Sequence, residues 1–155
     1  MPRAKSEVPD AFTVSLTLLS ARELSESQLR TRLKRRQLDA DDIEAAVSRL
    51  KADRTLDDRR VAVAIARMES AIKHRGRARV LQKIRQAGID DDTAEDAVGE
   101  AFQEVDEHEL LDRAVERRLR GKAVTDLDEK GRARLIRGLV GQGFGLDAVL
   151  RRIKR

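Results

Sequence analysis

HRGRARVLQKIRQAGI, residues 74–89, is the stretch from which the fold is read. Its tetrad Gly76-Arg77-Ala78-Arg79 returns as Gly131-Arg132-Ala133-Arg134, 55 positions later, at the head of GRARLIRGLVGQGF (131–144). At that offset Val80 meets Leu135, Ile84 meets Leu139, Gly88 meets Gly143 and Ile89 meets Phe144, while Val98 meets Ile153. Shifting the other way by 51 brings Leu29 onto Val80, Leu33 onto Ile84, Leu38 onto Ile89 and Val47 onto Val98. A unit of about 50 residues therefore occurs three times, a period characteristic of repeat architectures.

Apolar residues recur every three or four positions and never alternate by two, which predicts helices throughout and no strand. The predicted helices span 11–22, 26–36 and 40–53 in the first unit, 58–74, 77–87 and 91–106 in the second, and 107–120, 127–141 and 146–154 in the third. Their starts carry capping chemistry. Ser25 and Gln28 form a capping box in which the hydroxyl accepts the Gln28 N–H and the amide reaches back, with Leu24 and Leu29 as the staple. Asp39 opens the next helix between Leu38 and Ile43; Asp90 and Gly145 hold the corresponding places later, and Asp57-Asp58 reads as another helix opening. The expected organisation is a loose tail at 1–10 and three-helix repeats at 11–56, 57–106 and 107–155.

Composition limits the function. Of 155 residues 40% are hydrophobic and 39% charged, so a folded, heavily solvated helical protein fits better than disorder. Phe12, Phe102 and Phe144 are the only aromatics, which leaves a core of Leu, Val, Ile and Ala and gives no support to stacking of single-stranded bases. No cysteine is present, so disulfides, thiolate catalysis and Cys-ligated metals are excluded. No apolar run approaches a membrane span, and a cytoplasmic protein is expected.

Histidines occur only at 74 and 108, with no HExxH spacing, and no phosphate-binding glycine loop is found. GQGFG (141–145) falls at a helix-to-helix turn, where glycine reverses the chain. The acidic run at 90–109 lacks the spacing of a calcium loop and reads as a solvated helix face. Neither catalytic residues nor a metal or other cofactor is expected.

Charge is unevenly distributed. Residues 1–58 are neutral, 59–88 carry +8, 89–112 carry −11 and 113–155 carry +8, giving the net +5. Paired helices in each unit look like helix-turn-helix elements, yet the second helix of the pair is acidic in the first two units, and phosphates would repel it. Sequence-specific DNA reading is disfavoured on that ground; non-specific binding is not. The middle helix of each unit behaves differently. With Arg77 at zero, Val80, Leu81, Ile84 and Ala87 share a face centred near about 340°, whereas Arg79 at about 200° and Lys83 at about 240° point away from it. Arg32 and Arg35 in the first unit and Arg134 and Arg137 in the third are likewise outward. Arg77 and Arg132 lie beside the apolar stripe, in position to bond to a neighbouring helix.

LLSARELSESQLRTRL (18–33), LDD (56–58), HRGRARVLQKIRQAGI (74–89) and LVGQGFGLDAVLRRI (139–153), in this order and over about residues 11–155, resemble the RecX family of regulatory proteins. The sequence departs from the family pattern at Ala21, where Arg is common, at Leu24, where an aromatic is common, and at Val61-Ala62, where Phe-Ala is usual. The resemblance implies an all-α, elongated and curved protein of three tandem three-helix repeats. It also implies binding to filaments of the RecA recombinase and inhibition of their activity and growth, in homologous recombination, DNA repair and the SOS response. On this reading Arg32, Arg35, Arg79, Lys83, Arg134 and Arg137 contact the filament or its DNA, DNA alone is bound weakly, and the protein is a monomer. The alternative is a non-specific basic DNA-binding or nucleoid-associated helical protein.

Overall fold

A computed structural model describes residues 9–154, so most of the expected tail at 1–10 lies outside the described residues. Nine α-helices and no strand occur among the described residues. In chain order they are α1 (Ala11–Ala21), α2 (Glu26–Arg35), α3 (Ala40–Ala52), α4 (Asp58–Arg67), α5 (Arg77–Gln86), α6 (Asp91–Ala101), α7 (Glu107–Leu119), α8 (Glu129–Gly141) and α9 (Leu146–Ile153). The fold is all-α, as the three-and-four spacing requires.

Six of the helices end one residue before the expected position, and three boundaries differ by more. The helix expected at 58–74 is α-helical only to Arg67 and widens into a π-turn at Met68–Ile72, where Ser70 Oγ donates to the Ala66 carbonyl at 2.7 Å. The helix expected at 91–106 stops at Ala101; a turn follows, and Asp106 caps the next helix through the His108 N–H at 2.8 Å. The helix expected from 127 begins at Glu129, because the Asp128 carboxylate accepts the Gly131 N–H at 2.7 Å.

By contact the chain divides into two compact units: residues up to Val61 together with Ala87–Ile89, and Ala62–Gln86 together with Asp90 onward. In the first unit α1, α2 and α3 pack on one another around Leu24, Leu29, Leu33, Ile43, Val47, Leu50 and Leu56. Each such fully buried aliphatic side chain contributes on the order of 1.5–3 kcal/mol. In the second unit α5 packs on α6, α7 on α8 and α8 on α9, with Val80, Ile84, Val115, Leu139 and Val149 fully buried. Of the apolar positions that aligned between the copies, Leu29, Val80 and Leu135, then Leu33, Ile84 and Leu139, are buried, whereas Leu38 and Ile153 are half-buried.

The capping box forms as expected: Gln28 N–H donates to Ser25 Oγ at 3.1 Å and Ser25 N–H to Gln28 Oε1 at 3.0 Å. Ser25 is fully buried, and its hydroxyl also donates to the Ala87 carbonyl. The Asp57-Asp58 pair divides two tasks: Asp57 accepts the Arg60 N–H at the start of α4, and Asp58 accepts the Glu26 N–H at the start of α2. Asp39 is exposed and accepts only local N–H groups, from Asp41 at 2.8 Å and Asp42 at 3.4 Å. Two caps of similar sequence appearance thus differ in what they hold. Ser25→Ala is expected to cost about 2–3 kcal/mol, since a cap is lost and a buried carbonyl is orphaned. Asp39→Ala is expected to cost about 1 kcal/mol. Urea denaturation of the two variants side by side measures the difference; equal costs would contradict it.

Candidate functional site

The six cations expected to face a partner divide between the units: Arg32 and Arg35 lie on α2 in the first, while Arg79 and Lys83 on α5 and Arg134 and Arg137 on α8 lie in the second. Arg35, Arg134 and Arg137 are exposed; Arg32 and Lys83 are half-buried. Arg79 corrects the expectation of an outward side chain. It is half-buried, its Nε is buried without a partner, and its Nη1 donates to Gln82 Oε1 at 2.7 Å. The cause is the turn at Gly143, which lies against the backbone and Cβ of Arg79. None of the six is within ion-pair distance of a carboxylate among the described residues.

Many other cations are paired. Arg30 on α2 bridges Glu26 at 3.3 Å and Glu44 at 2.9 Å, and this guanidinium is what chiefly holds the Glu44 carboxyl below the usual range. Arg60 pairs with Glu23 at 2.9 Å. Arg77 bonds across to α7 through Glu107 at 2.8 Å and lies over the Phe102 ring, 4.8 Å from its centroid. That is the interhelical bond its place beside the apolar stripe led us to expect. Arg85 takes Asp91 at 2.6 Å, and Arg67 takes Glu100 at 3.7 Å. The acidic segment at 90–109 is therefore partly neutralised by its own unit. The backbone N–H of Thr93 is the main reason the capping Asp90 carboxyl sits below its ordinary range.

The two GRAR tetrads occupy different places. Gly76 precedes α5, and Arg77 is that helix's first residue, with no acidic side chain in the first turn. Gly131 is already the third residue of α8, inside a turn opened by Asp128 and Glu129. The start of α5 is closed by another segment: Gly76 N–H donates to the Gln142 carbonyl at 2.8 Å and Ala78 N–H to the Gly143 carbonyl at 3.2 Å. In the first unit Ser25 meets the Ala87 carbonyl in a comparable way. A middle-helix start thus seats on a later helix–helix turn in both units.

One set of cations had no signal in the repeat pattern. Arg117 and Arg118 in the last turn of α7, Arg120 and Lys122 beyond it, and Arg134 on α8 line one open groove of the second unit. They come from an outer helix, a turn and a middle helix, so no single helical face contains them. Among the described residues no group of three or more His, Cys, Asp or Glu is placed to hold a metal ion, and no helix is long and apolar enough to cross a membrane.

Residues 11–50 match the family model described as RecX, first three-helix domain, and residues 57–98 match RecX, second three-helix domain. A curated relative named Regulatory protein RecX from Syntrophotalea carbinolica is 33% identical over 141 residues, covering 91% of this chain and 92% of the relative. Another of the same name, from Pelodictyon phaeoclathratiforme, is 28% identical over 140 residues, covering 90% and 84%. Two solved structures share the fold: a crystal structure of regulatory protein RecX, with TM-score 0.79, 24% identity and coverage of 93% of this chain and 70% of that one, and RecX from Lactobacillus salivarius, with TM-score 0.77, 18% identity and coverage of 93% and 94%.

Proposed function

The chain belongs to the RecX family of regulatory proteins, and from that premise we propose that it binds filaments of the RecA recombinase and inhibits their ATPase, strand exchange and growth. In this reading it acts in the cytoplasm as a monomer, without a cofactor or a catalytic step of its own, in homologous recombination, DNA repair and the SOS response. Three repeats, at 11–56, 57–106 and 107–155, each present a middle helix to the partner. A filament repeats its protomer, so several weak contacts to neighbouring protomers add through effective concentration.

The observation that carries the reading is the contrast among cations. Arg30, Arg60, Arg77 and Arg85 are taken up by carboxylates of their own unit, whereas Arg32, Arg35, Arg79, Lys83, Arg134 and Arg137 are not. Helix geometry accounts for part of this set: Arg32 and Arg35 on α2 and Lys83 on α5 lie in last turns, where the dipole favours positive charge. It does not account for Arg79 near the start of α5 or for Arg134 and Arg137 within α8. An external anionic surface, on the filament or its DNA, offers the solvent-facing parts of these side chains the partner that their own unit does not, although the buried Nε of Arg79 takes no part in it. The test is RecA ATPase on single-stranded DNA. The wild-type protein is expected to suppress it, and a variant with all six charges reversed, shown folded by circular dichroism, is expected to lose most of that suppression. Full suppression by the folded variant would remove the site assignment.

A further inference from the structure

We propose that the groove between the end of α7 and the start of α8 seats the phosphodiester backbone of a nucleic acid, as a surface that shares Arg134 with the middle-helix faces assigned above and otherwise lies outside them. The groove encloses about 600 Å³ and is lined by Arg117, Arg118, Arg120, Lys122 and Arg134, with no carboxylate in its lining. Two acids of the α7–α8 connection serve as caps outside the lining: Asp126 accepts the Ala123 N–H at 2.9 Å and Asp128 the Gly131 N–H at 2.7 Å. None of the five cations is within ion-pair distance of a carboxylate among the described residues.

The convergence is built by the backbone. Arg120 ends α7 in the left-handed region at φ 50°, and Gly121 follows at φ 86°, so the chain reverses and Lys122 lines the same groove as the last turn of α7. Arg118 is fixed from the other side. Its Nη2 donates to the Gly138 carbonyl at 3.1 Å, and a Cβ on Gly138 would sit 2.5 Å from Arg118 Cζ. A glycine inside a helix costs about 0.5–1 kcal/mol relative to alanine, and here its missing side chain is the space the guanidinium occupies. The α7 dipole offsets the crowding of Arg117 and Arg118 at its C-terminus, but Lys122 and Arg134 lie outside that last turn. Five positive charges lining one open groove raise the local concentration of a polyanion.

The groove fits phosphates better than an acidic protein. A protein interface is anchored by an apolar core, whereas Leu135 in the lining is buried and Leu119 and Leu127 are half-buried. No aromatic side chain lines it, so bases are not stacked there and the contacts are to the backbone, independent of sequence.

The test uses the whole protein without recombinase, so it fails or succeeds separately from the RecA reading. Fluorescence anisotropy is measured with a labelled oligo-dT and a labelled mixed-sequence duplex, between about 50 and 200 mM salt. Wild-type binding is expected to weaken steeply with salt. Joint replacement Arg117→Glu, Arg120→Glu, Lys122→Glu is expected to weaken low-salt binding at least about tenfold and to flatten the log–log salt slope by about 2–3, near one unit per lost phosphate contact. The milder set Arg117→Gln, Arg120→Gln, Lys122→Gln is expected to flatten it in the same direction, and serves if the reversed set fails to fold. Unchanged affinity and slope in a folded variant would overturn the proposal. So would polyglutamate displacing the oligonucleotide as well as unlabelled oligonucleotide does at equal charge, because that marks an acidic-protein surface.

Discussion

Gly143→Ala is expected to destabilise the second unit by about 3 kcal/mol or more, from two additive causes. Gly143 has φ 97°, a conformation that L side chains rarely adopt. A Cβ there would also stand 2.5 Å from Arg79 Cβ and 2.6 Å from the Gly76 carbonyl oxygen, and these atoms belong to a helix start rather than to a flexible side-chain end. The turn must move, and when it moves the Gly76 and Ala78 N–H groups lose the Gln142 and Gly143 carbonyls that accept them. Asp128 caps α8 with its own carboxylate, but no corresponding side-chain cap supports α5. A loss of this size is a large fraction of the roughly 5–15 kcal/mol by which domains are stable. Gly99→Ala is the control of opposite sign. Gly99 lies within α6 with nothing within 4 Å of its would-be Cβ, so the substitution is expected to stabilise by about 0.5–1 kcal/mol. Urea denaturation reads both. A neutral Gly143→Ala would show that the turn does not close the start of α5.

The same turn shows what a sequence discloses and what it does not. Leu29, Leu33, Val80, Ile84, Leu135 and Leu139 are legible because helical burial depends on spacing, and spacing is local. Ser25, Asp39 and Asp90 are legible because a cap bonds within three residues. Gly76 and Gly143 were visible as repeat positions, but their mutual contact was not, since it joins residues 67 positions apart. The second task of Ser25, at the Ala87 carbonyl, was hidden for the same reason. The division into two units follows from this pattern, since Ala87–Ile89 cluster with the first unit although they follow α5 in the chain.

The candidate site was legible in part. The helical projection of α5 separated the apolar stripe from its cations, and it placed Arg77 where a bond to Glu107 forms. It gave Arg79 the wrong surroundings, because a projection of one helix contains no neighbours. The Arg117–Lys122 cluster was missed because charges on an outer helix, across a left-handed turn, converge only once Arg120 and Gly121 reverse the chain. The charge argument against a helix-turn-helix reader has a visible counterpart: α6, the second helix of its pair, exposes Asp91, Asp92, Glu95 and Asp96.

The regulatory reading and its rival differ most in what the protein prefers to bind. If the six unpaired cations meet a repeating filament surface, contacts at successive protomers add, and binding to RecA-coated DNA exceeds binding to bare DNA by at least about tenfold at the same salt. Each screened surface contact contributes roughly 0.5–1 kcal/mol, so reversing Arg32, Arg35, Arg79, Lys83, Arg134 and Arg137 together is expected to weaken binding to the coated filament on the order of a hundredfold or more. A non-specific DNA-binding protein would instead hold bare DNA at least as tightly as the coated filament. The decisive measurement is therefore a binding titration of the intact protein on bare single-stranded DNA and on RecA-coated DNA, at two salt concentrations. Tighter binding to the coated DNA at both salts, lost in the folded six-charge variant, is the expected result; equal or tighter binding to the bare DNA would contradict the account.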